Sequence, residues 1–188
     1  MGCSVSALLS QLMRFAQGNE PWCAIPFSLK IKKTVWSVAT DGYVMLAIKL
    51  PGASSRKDWP KRIPSLLTDA AVDPVELDLV QLKAWAGDPP SALVPRGDVS
   101  HDQQVVLLGQ IVDRRKLAYL FARLSLPKVN AWVFEPGLLA FEPAQRQWRG
   151  FLACLDGDPD GDEPVFDPAA GPTPAKSVFE LAEEAGTE

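Results

Sequence analysis

The stretch VWSVATDGYVMLAIKL, residues 35–50, constrains the fold of this chain more than any other. Two apolar runs flank Thr40-Asp41-Gly42. Runs this short, rich in Val and aromatic residues, favour strand over helix. Asp offers a side-chain acceptor to its own turn, and Gly takes a positive φ at no steric cost, so the corner reads as a tight turn between antiparallel strands. A chain that turns there and re-enters an apolar strand at once is building an antiparallel meander.

The flanking sequence extends that plan. Residues 5–17 predict a helix, with Val5, Leu8, Leu9, Leu12, Met13 and Ala16 on one face, Ser4 as N-cap and Gly18-Asn19 as the stop. Strands are expected over 22–31, 35–39 and 43–50, the first two joined at Lys32-Lys33. From 51 to 104 prolines are frequent and the pattern loosens, apart from a short amphipathic piece over 77–85. This segment reads as a long insertion on the domain surface. Order returns with a strand over 105–112. Asp113 then caps a helix over 114–124, with Leu117, Leu120, Phe121 and Leu124 on one face and Arg115, Lys116, Tyr119 and Arg123 opposite. Strands over 129–134, 138–142 and 148–155 follow, the first two joined at Pro136-Gly137. The expected organisation is one domain over 1–157, carrying the insertion 51–104, then an acidic, Pro- and Gly-rich tail over 158–188. That tail predicts mostly disorder, with a short helix over 177–184.

Composition removes several function classes. The net charge is −4, so the molecule as a whole does not attract nucleic acid and any such contact needs a local basic face. The three cysteines, Cys3, Cys23 and Cys154, are too few and too scattered for a disulfide framework or a zinc motif, and they fit a reducing, cytoplasmic setting. His101 is the only histidine. No apolar run approaches the ~20 residues of a membrane span, so no membrane contact is expected. The opening MGCSVS matches the Met-Gly-x-x-x-Ser myristoylation pattern, but it reads more simply as a plain start leading into the helix. No Gly-rich phosphate loop, nucleophile elbow or Cys–His signature is present, so local motifs single out no catalytic residue. In DGDPDGDEPVFD, Asp156, Asp158, Asp160, Gly161 and Asp167 fall at positions 1, 3, 5, 6 and 12 of a calcium loop. A strand leads in and prolines interrupt, so the pattern follows from acidic composition, and no metal or cofactor is expected.

Two halves with one plan, a helix followed by three antiparallel strands, make an α+β domain with two helices packed on curved antiparallel sheets. The order and the motif resemble the bacterial DNA polymerase sliding clamp family, most closely a single middle domain of it. That family carries ATDGHRLA on a strand, and this chain reads ATDGYVMLA over 39–47. QIVDRRKLAYLFARL, 110–124, matches the basic corner that opens the family's second helix. The likeness covers 5–50 and 105–157. It implies a DNA-clamp-like fold and a non-enzymatic replication or repair accessory, a processivity or scaffold module. It further implies weak electrostatic contact with duplex DNA through Arg14, Arg115, Lys116 and Arg123. DNA polymerase or repair proteins would be held by a peptide cleft including Thr40, Gly42, Tyr43, Met45 and Leu46. Tyr43 stands where the family has His, and Val44-Met45 replaces an Arg. One such domain per chain would need about six copies, joined head to tail, to close a homo-oligomeric ring. The alternatives are a clamp-derived adaptor that does not encircle DNA, or an unrelated α+β enzyme whose site is invisible in sequence. QLMRF, 11–15, echoes the Gln-Leu-x-x-Phe peptides that clamps bind, although Leu12 reads better as core.

Overall fold

The structure, a computed structural model, describes residues 4–15, 25–50, 61–91, 99–157, 159, 161 and 163–166. Helix α1 (Val5–Phe15) leads into β1 (Phe27–Ile31), β2 (Thr34–Thr40) and β3 (Val44–Ile48). Then come α2 (Ile63–Thr68), β4 (Val75–Asp78) and α3 (Leu79–Ala86). The last part is β5 (Gln104–Leu107), β6 (Gln110–Asp113), α4 (Arg114–Phe121), β7 (Lys128–Glu135), β8 (Leu138–Glu142) and β9 (Trp148–Ala153). One sheet runs β1-β2-β3-β9-β8-β7-β4, antiparallel at every pairing, and β5–β6 forms a separate hairpin. The two meanders meet at β3 and β9, where Leu46 pairs with Gly150.

Strand alternation puts a core on each face of the sheet. Val44, Leu46 and Ile48 of β3 turn toward α1, α3 and α4, while Met45 and Ala47 turn the other way, toward α2. Helix α4 is the centre of the larger core. Leu117, Leu120 and Phe121 are fully buried, each worth about 1.5–3 kcal/mol against exposure. Asp113 caps its start by accepting from Arg115 N–H (2.9 Å). No glycine ends it. Instead Gln11 Nε2 donates to Tyr119 O (2.6 Å) and Leu120 O (3.2 Å), and Lys83 Nζ donates to Ala122 O (3.4 Å) at the C-cap. Side chains from α1 and α3 thus supply the donors its last carbonyls need.

Several expectations need correction. The segment 51–104 is not merely a surface insertion. Leu77, Leu79 and Leu82 are fully buried in the larger core, β4 forms an edge of the main sheet, and Asp78 caps α3 by accepting from Val80 and Gln81 N–H. Residues 105–112 are a hairpin rather than one strand. Leu108 and Gly109, at φ 51° and 73°, reverse the chain. Part of the tail is tied down. Val106 N–H donates to Pro164 O (2.8 Å), Phe166 N–H donates to Val106 O (3.0 Å), and the Phe166 ring meets Trp85 at 5.0 Å. Ser4 caps α1 as expected, accepting from Ala7 N–H (3.2 Å). The stop at 18–19, the start of the first strand at 22–24 and the 177–184 helix lie outside the described residues, as do Gly2 and Cys3.

Candidate functional site

The Thr-Asp-Gly corner closes on itself. The Asp41 carboxylate accepts from Tyr43 N–H (2.7 Å) and Val44 N–H (2.6 Å). Thr40 Oγ1 accepts from Gly42 N–H (3.0 Å) and donates to Val44 O (2.8 Å). Gly42 sits at φ 95°, where a side chain would be strained. These side-chain bonds are all local, and Ala153 N–H of β9 adds a bond to Tyr43 O (2.8 Å) that ties the corner to the sheet.

Beside this corner lies an apolar cleft of about 190 Å³. Thr40, Gly42, Tyr43 and Met45 form one wall, Ile63 and Leu66 of α2 the second, and Leu138, Phe151 and Ala153 the floor. The structure therefore brings four of the five residues expected at a cleft to one place. Leu46 is the exception. Alternation turns it to the opposite face, fully buried beneath the helices. Met45 is itself buried in the α2-side core rather than exposed, and only its flank reaches the cleft.

Helix α2 holds its place through Arg149. This buried guanidinium pairs with Glu142 (2.8 Å) and donates to Leu66 O (2.8 Å) and Asp69 O (2.9 Å) at the helix C-terminus. A cation there answers the orphan carbonyls and the helix dipole together. Arg62 at the cleft mouth pairs with Glu135. Sequence reading missed α2 and Arg149. The available signal was an Arg in the otherwise apolar WRGFLA, two residues before an inward Phe151 and opposite an acidic residue on the neighbouring strand.

Of the four cations expected to face DNA, three are engaged within the chain. Lys116 is buried, its ammonium 3.9 Å from the Tyr43 ring centroid. Arg115 is held by Asp113 (2.9 Å), whose hydrogen bond pushes the guanidinium pKa up. Arg14 lies 4.5 Å over the Tyr119 ring and donates to Pro90 O (2.9 Å). Only Arg123 of the four is exposed. Tyr119, expected on the solvent side, is buried against Phe15, and burial pushes its phenol pKa up. The reason is that α1 packs over α4, so α4 has no free polar face between its ends. Gln11, Leu12 and Phe15 are buried in that packing, so QLMRF is not a presented peptide.

No three-residue cluster of His, Cys, Asp or Glu suited to a metal occurs among the described residues; Asp158, Asp160 and Asp167 lie outside them. Nor is any described helix long and apolar enough to cross a membrane.

The fold is that of bacterial DNA polymerase sliding clamps. The chain superposes on the DNA polymerase sliding clamp of Bacillus subtilis with a TM-score of 0.54 at 9% identity, over 81% of this chain and 62% of that one. For the DNA polymerase III β chain of Streptococcus pneumoniae the values are 0.57, 10%, 84% and 64%. For DNA polymerase III subunit β of Borrelia burgdorferi, solved with a natural product, they are 0.57, 7%, 80% and 61%. Each match covers less than two thirds of the clamp chain. No protein-family model and no curated protein sequence matches.

Proposed function

We propose that this chain is a non-enzymatic, clamp-fold accessory of DNA replication or repair that holds partner proteins by an apolar peptide segment. The observation that supports this most is the cleft at the Thr40–Met45 corner. A self-braced turn, a buried Met flank and the Leu66 and Leu138 side chains offer a preformed apolar groove with few polar groups. The test is fluorescence anisotropy with a labelled Gln-Leu-x-x-Phe peptide. Ala153→Trp fills the floor and Leu138→Glu charges it; both positions are half-buried, and thermal melts check that each variant keeps the fold. Each variant should weaken binding at least about tenfold, or roughly 1.4 kcal/mol. Saturable binding unchanged in both variants, or no binding to the native chain, refutes the reading.

Duplex DNA is a weaker partner in this proposal, contacted electrostatically from the α1–α4 face with Arg123 as its exposed cation. Self-assembly would use the two ends of the sheet. Edge strand β1 carries Lys30, with Lys32 and Lys33 in its hairpin, while β4 carries Glu76 and Asp78. Head-to-tail pairing would set basic edge on acidic edge. Light scattering across a concentration series distinguishes a closed assembly of about six copies from a monomer, and the monomer leaves an adaptor that does not encircle DNA. The burial of Lys116 and the pairing of Arg115 favour that second reading.

A further inference from the structure

Helix α1 is apolar on two sides. Its inner face, Leu8, Leu12 and Phe15, is buried in the main core. Its outer face carries Val5, Leu9 and Met13, exposed by 53%, 39% and 60%. Spaced four residues apart, they form one line about 12 Å long. No acidic residue lies on this helix. Cations stand at both ends of the line. Arg14 follows Met13, while Val5 and Leu8 share a cavity of about 250 Å³ with Lys49, Leu50 and Arg146. A phosphate backbone gains nothing from an apolar stripe. The chemistry that fits is an apolar helix face bordered by carboxylates.

The chain contains such a segment. In SVFELAEE, 177–184, helical spacing puts Val178, Phe179, Leu181 and Ala182 on one side and Glu180, Glu183 and Glu184 on the other. These residues lie outside the described ones, but the chain leads toward them from a fixed point, since Phe166 is seated on Trp85 of α3. α3 packs on α4 and α4 on α1, and Arg14 reaches Pro90 just beyond α3. Two helix spacings amount to roughly 20 Å. Residues 167–176 span up to about 33–36 Å when extended. The segment can reach the stripe.

We infer that residues 177–184 seat as an amphipathic helix on the Val5–Leu9–Met13 stripe of the same chain, covering the helical face with acidic charge. The seating stands apart from the peptide-cleft reading, because the stripe and the cleft lie on opposite faces of the sheet.

Amide hydrogen exchange of the full chain tests it, with light scattering on the same samples. Exchange of 178–184 should be slowed at least about tenfold relative to an unstructured segment. The slowing should vanish in the double variant Leu9→Glu/Met13→Glu, and equally in Phe179→Glu/Leu181→Glu, with molar mass unchanged. All four positions lie outside the buried core or outside the described residues, and thermal melts verify that β-sheet signal persists. Unprotected 178–184 amides in the native chain overturn the inference. So does protection that survives Leu9→Glu/Met13→Glu. A mass that rises with concentration and falls to monomer only in Leu9→Glu/Met13→Glu also overturns it, and makes a second copy's stripe the occupant.

Discussion

Arg149 is the residue on which the second wall of the cleft depends, and its replacement by Met has a calculable outcome. Its guanidinium and the Glu142 carboxylate are both nearly inaccessible, and two carbonyls at the end of α2 accept from Nη1, while the buried Nε has no partner among the described residues. Removing one partner of a buried pair leaves an uncompensated charge and costs ~3–5 kcal/mol. Against a total stability of ~5–15 kcal/mol that is a large share. At ~2–4 °C per kcal/mol for a chain of this size, the melting temperature should fall by roughly 6–20 °C. Glu142→Leu alone should cost a comparable amount for the mirror-image reason. The double variant removes both charges and should recover most of the loss. A residual ~1–3 kcal/mol should remain because Leu66 O has lost its donor. Urea unfolding followed by tryptophan fluorescence reads all three, aided by Trp132, whose ring lies 5.4 Å from the Arg149 guanidinium carbon. A single variant costing less than about 1 kcal/mol would refute the reasoning, as would a double variant as unstable as the sum of the singles. Amide exchange in 63–68 adds a local check, since α2 should loosen in Arg149→Met before the sheet does.

Three further outcomes follow from particular contacts. A Cβ at Gly150 would lie 3.2 Å from Leu120 Cδ1 and 3.3 Å from Trp148, so Gly150→Val should lift α4 from the sheet and cost about 1–3 kcal/mol in urea melts; an unchanged midpoint contradicts the close packing. Burial pushes the Cys154 thiol up to about 11, so the neutral form persists through neutral pH. With Cys3 and Cys23 replaced by Ser, disulfide-reagent labelling at pH 8 should run roughly a hundredfold slower than for a thiol at pKa 9, and should speed up as pH rises toward 11; rapid labelling at pH 8 counts against burial. Tyr43→Leu removes the ring beneath Lys116 and should cost ~0.5–2 kcal/mol, whereas Tyr43→Phe keeps the ring and should largely retain stability; equal losses in both would assign the effect to the hydroxyl instead.

What could be read from the sequence was what local rules determine. The β2–β3 corner was legible because Thr40, Asp41 and Gly42 satisfy their bonds within five residues. The helix opened by Asp113 was legible because the cap and the apolar spacing sit side by side in the chain. Strand β4 was not. Its four residues follow a proline, and their membership of the sheet is decided by β7, more than fifty positions away. The burial of Lys116 and Tyr119 was equally hidden. An amphipathic pattern shows which side of α4 is more polar, but not that α1 will lie across that side, with Gln11 and Arg14 binding to it.

The misread segment bears directly on function. Thr40, Gly42, Tyr43 and Met45 alone make a corner on an open sheet, and a peptide laid there would stay wet on one side. The groove exists because 63–68 folds back over Met45 and Phe151 and because Arg149, from a strand more than eighty residues later, holds that helix by its last carbonyls. The resemblance in sequence covered 5–50 and 105–157 and omitted this wall. A cleft whose corner follows a shared motif while its second wall comes from a segment outside the motif can keep the site and change what it accepts. On the proposed peptide-cleft reading, side chains at Ile63 and Leu66, rather than those of the Thr-Asp-Gly corner, are where a distinct partner preference would be encoded.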